Sequence, residues 1–312
     1  MRIGIIGLGD IAQKAYLPVM TGREDIELVF CTRNRDTLGW LAAKYRIAKT
    51  ADSVEQLIET GVEAAFIHSA TESHAAMAEQ LIRHGVHVYI DKPIAYNYEQ
   101  AESVSRLAKQ KGVKLMTGFN RRYAPMVAAM KAQEHRRLVL MQKNRTHSPD
   151  YARRFVFDDF IHVVDTIRFL APGTINDVRV SAHIQDGKLY HVVLQLEGNG
   201  FSCMGIMNRD SGANDETVEV MSPGNKWRID GLNTTEHFAG GEARLLKFND
   251  WDTVLYRRGF VSIIDHFIAC VMEDKTPAIS LQDALETHRL CEEIVRQAEA
   301  SGAEPWNPGT AR

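Results

Sequence analysis

Three polar side chains, far apart in the chain, have the types needed to hold a charged oxygen and move a proton. Lys92 stands in Asp91-Lys92-Pro93 directly after an apolar run, where its ammonium can donate to a substrate oxygen and stabilise negative charge developing there. Whether the bond before Pro93 is cis is left open by the sequence. Asp158 and His162 are four residues apart in Phe157-Asp158-Asp159-Phe160-Ile161-His162-Val163-Val164-Asp165, and helical periodicity would set 158, 162 and 165 on one face. An isolated Asp/His pair at this spacing is usually a helix-surface hydrogen bond. A histidine oriented by a carboxylate is also a competent acid or base near neutral pH. If a crevice between two domains brings Lys92, Asp158 and His162 to one oxygen, the set suits interconversion of a hydroxyl and a carbonyl.

Such a reaction needs a hydride carrier, and Gly7-Leu8-Gly9-Asp10-Ile11-Ala12 supplies the pattern for one. Gly7 permits a tight turn, Gly9 lets a pyrophosphate approach the backbone, and Ala12 permits close helix-sheet packing beside the positive helix end. Gly7, Gly9, Asp10, Ile11 and Ala12 are therefore expected cofactor contacts. The second strand ends in Cys31-Thr32-Arg33-Asn34-Arg35, without the carboxylate that usually holds the adenosine ribose. Thr32 and Arg33 suit a 2′-phosphate instead, which favours NADP over NAD. A third strand ends in His68-Ser69-Ala70-Thr71-Glu72-Ser73-His74, which puts Ser69, Ala70, Thr71 and His74 on the cofactor side, with a local hydrogen bond expected for His74. The spacing of His68 and His74 matches no ligand pattern, so no metal is expected.

Positioning these groups calls for two kinds of domain. Through residue 120, short apolar strands (2–6, 27–31, 64–67, 87–90 and 114–117) alternate with helical patterns, which predicts an α/β Rossmann domain with a doubly wound parallel sheet. One of its helices opens at Thr71 and stops at Gly85. Residues 121–312 read as one helix, a run of strands that includes 190–196 and 201–207, and two final helices, the last capped by Ser280. That order predicts an α+β domain with a mainly antiparallel sheet. Its strand Tyr190-His191-Val192-Val193-Leu194-Gln195-Leu196 has apolar residues on both sides, so a homodimer or dimer of dimers through this sheet is expected.

Composition narrows the partners. The 312 residues are enough for two cores, and 37 Lys+Arg against 40 Asp+Glu leave a formal charge of -3, which calls for neither nucleic acid nor an anionic membrane. No apolar run approaches the ~20 residues of a bilayer span. No secretory signal is read at the N-terminus. Cys31, Cys203, Cys270 and Cys291 show no C-x-x-C spacing and are expected to be buried thiols in a reducing, cytoplasmic setting.

Taken in order, Gly7-x-Gly9-x-x-Ala12, Asp91-Lys92-Pro93, Gly118-Phe119-Asn120-Arg121-Arg122-Tyr123 and Asp158-x-x-x-His162-x-x-Asp165 resemble the Gfo/Idh/MocA (glucose-fructose oxidoreductase / inositol dehydrogenase) family, and within it the MviM-like branch. The resemblance spans nearly the whole chain. It implies that Lys92, Asp158 and His162 match that family's catalytic lysine and Asp/His pair, that Asp91, Lys92 and Asn120 are cofactor contacts, and that the second domain, residues 121–312, is the open-faced sheet that family uses for substrate and oligomer contacts. Sugars, polyols or their derivatives are the substrates it implies. Two departures stand out: Asp91 replaces the more usual glutamate, and Asp159-Phe160 replaces a small residue and glycine, which makes the pocket floor bulkier. The competing expectation is a non-catalytic dinucleotide-binding sensor or scaffold on the same two-domain body. Retention of lysine, aspartate and histidine together argues against it.

Overall fold

The computed structural model describes residues 1–306. Two compact units divide them: Met1–Gly118 with Phe260–Glu286, and Phe119–Gly259 with the residues from Thr287 onward. In the first unit, β1 (Arg2–Ile6), β2 (Glu27–Cys31), β3 (Lys49–Ala51), β4 (Ala64–Ile67), β5 (His87–Ile90) and β6 (Leu115–Thr117) form one parallel sheet in the order β3-β2-β1-β4-β5-β6. Ile3, Ile5, Val29, Phe30 and Phe66 are fully buried, as a sheet covered on both faces requires. A π-helical turn (Ala12–Tyr16) runs into α1 (Leu17–Met20), followed by α2 (Arg35–Tyr45), α3 (Val54–Glu59), α4 (Thr71–Arg83) and α5 (Tyr98–Lys111). Asn34, Ser53 and Asn97 cap α2, α3 and α5, each accepting the N–H three residues on. The strand order reverses between β1 and β4, and open α/β sheets hold their ligands outside the strand ends at such a point.

The second unit contains α6 (Pro125–Lys131), β7 (Leu138–Lys143), α7 (Ala152–Arg154), a second π-helical turn (Phe155–Phe160) and α8 (Ile161–Leu170). The strands β8 (Ile175–Gln185), β9 (Lys188–Gly198), β10 (Phe201–Asn208), β11 (Glu216–Ser222), β12 (Asn225–Asp230), β13 (Thr234–Ala239) and β14 (Glu242–Lys247) follow, then α9 (Val254–Arg257). The eight strands run β14-β13-β12-β11-β7-β10-β9-β8, antiparallel except between β7 and β10. Val192, Leu194, Leu196, Cys203 and Met207 are buried on the face toward α8, whose Val163 and Ile167 crowd Gly205 of β10. Val193, Met204 and Ile206 alternate onto the opposite face and are half-buried.

The chain crosses between units more often than a single cut after residue 120 implies. The apolar α10 (Phe260–Met272) belongs to the first unit, where Phe260 meets Tyr16 edge-on and Phe267 meets Phe66 and Tyr89. Then α11 (Leu281–Ala300) starts in the first unit, with Ser280 Oγ accepting the Asp283 N–H at 3.1 Å, and ends in the second. Among the described residues no helix is long and apolar enough to cross a membrane. No group of three or more His, Cys, Asp or Glu among them could hold a metal ion.

Candidate active site

A cavity of about 590 Å³ opens at the reversal point of the first unit's sheet, and Gly7, Gly9, Thr32, Arg33, Ser69 and Ala70 line it. Gly7 has φ +83°, and a Cβ there would lie 2.5 Å from Ser69 N and 2.7 Å from the His68 carbonyl carbon. Only glycine lets the β1 turn pass the β4 turn this closely. A Cβ on Gly9 would meet nothing within 4 Å, so the cavity floor is open where a pyrophosphate needs backbone. Ala12 is fully buried. Asp10 and Ile11 are exposed and outside the cavity lining, Asp10 pairing with Lys14 at 2.7 Å. Thr71 begins α4 without lining the cavity.

The adenosine end of the cavity is more mixed than the strand β2 motif suggests. Arg33 lines it, but Arg35 turns to Asp52 at 3.2 Å, and Asp52 and Glu55 line it as well. No sequence pattern marks those two acids. They follow β3, a three-residue strand too short to read from an alternation pattern. His68, also on the lining, is buried, lies tilted against the Tyr16 ring with centroids 3.8 Å apart, and has no hydrogen-bond partner at either ring nitrogen among the described residues. Burial pushes its pKa down to about 3, with His74 adding to the effect, so the ring is neutral. An orphaned buried imidazole on the wall, an open floor at Gly9 and a forced glycine at position 7 together fit a bound dinucleotide.

At the end of β5 the backbone carrying Lys92 is tied down from two sides. His74, buried in α4, faces the Pro93 carbonyl at 2.8 Å through Nδ1 and the Ser69 carbonyl at 2.9 Å through Nε2. Its bonds therefore reach beyond the local turn expected for it, and they link the cavity wall to the turn after Lys92. Asp91 Oδ1 accepts the Lys92 N–H at 2.9 Å, and the Lys92-Pro93 bond is cis. Burial holds the Asp91 carboxyl above its usual range, against opposing pulls from Lys92 and His74. Tyr16 and Tyr89 bring their hydroxyls within 3.0 Å of each other, and burial followed by the Asp91 charge pushes the Tyr16 hydroxyl well above its usual value. Asp91 thus belongs to this tyrosine network and not to the cavity lining.

In the second unit, Asp158 lies in the π-helical turn and His162 is the second residue of α8, both half-buried. The continuous α-helix expected here is interrupted, because π geometry adds a residue to the turn; such bulges concentrate at functional sites. Asp158 Oδ2 lies 3.6 Å from Arg154 Nε. Asp165 leaves the expected face, buried in a fork with Arg122 at 2.6 and 2.9 Å and accepting from Thr287 Oγ1 at 3.1 Å. Asn120 also belongs to this unit, where its amide donates to the Arg258 carbonyl at 2.9 Å. Asp159 is buried against Lys143 and Arg145.

A parallel sheet ordered 3-2-1-4-5-6 with a glycine-forced turn at its reversal point defines a nucleotide-binding Rossmann protein. Comparison with known proteins carries this further. Residues 1–119 match the profile described as "Oxidoreductase family, NAD-binding Rossmann fold", that of Gfo/Idh/MocA, and residues 125–239 match a YceM-like C-terminal domain. The chain is 34% identical over 306 residues to a protein of Salmonella typhimurium named as oxidoreductase YceM, covering 96% of this chain and 98% of that one. It superposes on the crystal structure of a dehydrogenase (MviM) from Clostridium difficile with a TM-score of 0.91 at 35% identity, covering 95% of this chain and 99% of the other. Inositol 2-dehydrogenase of Rhizobium meliloti is 26% identical over 325 residues, covering 95% of this chain and 96% of that protein. The chain belongs to the Gfo/Idh/MocA oxidoreductase family.

Proposed function

We propose that this oxidoreductase prefers NADP and interconverts a hydroxyl and a carbonyl on a small polyol-like compound, with Lys92, Asp158 and His162 as its catalytic residues. Bound nicotinamide supplies or accepts the hydride. In the oxidation direction His162 takes the hydroxyl proton, Asp158 stabilises the resulting imidazolium, and Lys92 holds the oxygen as negative charge gathers on it. The observation that carries the nucleotide part is the cavity at the β1–β4 reversal, floored by Gly9 and walled by Thr32 and Arg33. Polyol chemistry draws support from the likeness to an inositol dehydrogenase. The four free, buried cysteines support a reducing, cytoplasmic setting.

The test is turnover followed by nicotinamide absorbance on polyols and their oxidised forms. On whichever substrate is found, His162→Ala should lower kcat about 10²–10⁴-fold with NADPH affinity nearly unchanged, and Asp158→Asn should lower it less. Lys92→Ala should damage both turnover and NADPH affinity, because in this reading the lysine sits where substrate and nicotinamide meet. A His162→Ala enzyme with full turnover would remove the proton relay from the account. We further propose that Val193, Met204 and Ile206, on the sheet face away from α8, bind a second copy of the chain. Light scattering should then report a dimer or tetramer at micromolar concentration, and a stable monomer would exclude it.

A further inference from the structure

Around Asp158 and Asp159 the second unit gathers a dense cluster of cationic side chains. Arg145 donates to Asp159 through Nε at 2.8 Å and Nη2 at 3.3 Å, and Lys143 bonds the same carboxylate. Arg121 grips Glu216 at 2.6 and 2.7 Å. Arg154 lies 3.6 Å from Asp158 and 3.8 Å from Asp150. Arg209 follows β10, its guanidinium 5.2 Å from the Phe155 ring centre, and the exposed Arg258 acts electrostatically on Arg145 and Glu216. Six cationic side chains thus meet four carboxylates. Two further acids nearby, Asp210 and Asp215, are exposed and engaged by His147 and the Asn144 amide.

Two arginines in this group are poorly served by the protein alone. The Arg209 side chain is only 15% exposed, yet among the described residues its guanidinium makes one hydrogen bond, Nε to Ser148 Oγ at 3.3 Å, and one loose ion pair, 3.7 Å from Asp150. A planar fork with five N–H donors is built for more than that. Arg145 is held by Asp159 but faces the like charges of Arg121, Arg209 and Arg258. Burial, then those neighbours, lowers its pKa, and burial lowers that of Arg209. Arginines crowded this way gain most from an added anion, and with side chains 42% and 40% exposed Arg145 and Arg154 leave an approach open.

We infer that Arg145 and Arg209 form a subsite for an anionic group of the substrate, a carboxylate or a phosphate, so that the polyol-like compound oxidised carries an acid or phosphate ester group and is not neutral. The inference rests on the reading of Asp158 and His162 as the proton-handling pair, because Asp158 acts on Arg209 and pairs with Arg154, which places the subsite beside that pair. One ionic group gripped there would orient the hydroxyl to be oxidised, which a neutral polyol with many equivalent hydroxyls cannot achieve for itself.

The experiment titrates inorganic phosphate, and separately malonate, into the full-length protein saturated with NADPH, so that the nucleotide cavity is filled, at constant ionic strength set with chloride. Saturable binding of either ion is expected. Arg209→Gln and Arg145→Gln should each weaken it about tenfold or more, while Arg244→Gln on the edge strand β14, four strands from β7, leaves it unchanged. Binding of phosphate alone assigns a phosphate ester, and of malonate alone a carboxylic acid. Should Arg145→Gln prove unstable, Arg145→Lys must still weaken binding, since an ammonium lacks the fork. No saturable binding of either ion, or equal binding by wild type and both Gln variants, overturns the inference. Failure of NADPH itself to bind would instead count against the dehydrogenase reading.

Discussion

Two glycines two residues apart make opposite predictions, and their contrast tests the nucleotide cavity without knowledge of the substrate. Gly7→Ala would place a methyl 2.5 Å from Ser69 N and 2.7 Å from the His68 carbonyl carbon, on a residue with φ +83°. The left-handed backbone costs about 1–2 kcal/mol for an L side chain, and forcing two backbone segments apart costs about 1–3 kcal/mol more. A stability loss of about 2–5 kcal/mol is expected, read as a lowered midpoint in urea. At Gly9 the added methyl meets no atom within 4 Å and φ is not positive, so Gly9→Ala should stay within about 0.5 kcal/mol of wild type. If the pyrophosphate approaches backbone there, the same methyl lies in its path and should cost about 1–3 kcal/mol of NADPH affinity, or about 5–150-fold in Kd. Denaturation and isothermal titration on both variants give the two readings. A Gly9→Ala protein that binds NADPH as tightly as wild type, or a Gly7→Ala protein of full stability, would refute the argument.

Further expectations concern charge and thiols. Arg33→Ala should cost NADPH about 1.5–3 kcal/mol, the range for hydrogen bonds to charged groups, and leave NADH almost untouched in the same titration. Burial works to raise the Glu216 pKa, but Arg121, Lys143 and Arg258 more than reverse it, so its folded value lies below the unfolded one. Its stabilisation is therefore complete above the unfolded pKa of about 4.3 and is lost as pH falls through the folded value. Glu216→Gln should cost about 3 kcal/mol at neutral pH by stranding Arg121, and the gap to wild type in thermal melts should start to narrow as pH falls below about 4.3 and close once the folded carboxylate is protonated. Burial, with nearby acids adding to it, pushes the Cys31 and Cys203 thiols up to about 12, so mass spectrometry after iodoacetamide at pH 8 should find both unmodified in native protein and alkylated once it is unfolded.

The first unit was the more legible because its signals are local. A strand buried on both faces is a continuous apolar run, and a glycine at positive φ beside it marks the turn, so β1, β2, β4 and β5 have the bounds expected for them. The predicted strand at 114–117 begins one residue late, at Leu115. What escaped depends on tertiary structure. The three residues of β3 show no period, and with them Asp52 and Glu55 were missed as cavity walls. Nothing in the composition of 155–160 distinguishes a π-helical turn from an α-helix, so the helical face assumed for Asp158, His162 and Asp165 was drawn with too few residues per turn. Asp165 shows the limit most clearly. Its partner Arg122 is 43 residues upstream, a distance across which spacing carries no information. The return of α10 to the first unit is equally silent, since an apolar helix suits either core.

The central claim is that the cavity at the β1–β4 reversal holds a nicotinamide dinucleotide with a preference for the 2′-phosphorylated form. Isothermal titration of wild-type protein with NADPH and with NADH measures it directly. One site per chain with NADPH the tighter ligand is the predicted result. Equal affinities or an NADH preference would contradict the role given to Thr32 and Arg33, and absence of binding by either nucleotide would contradict the account as a whole.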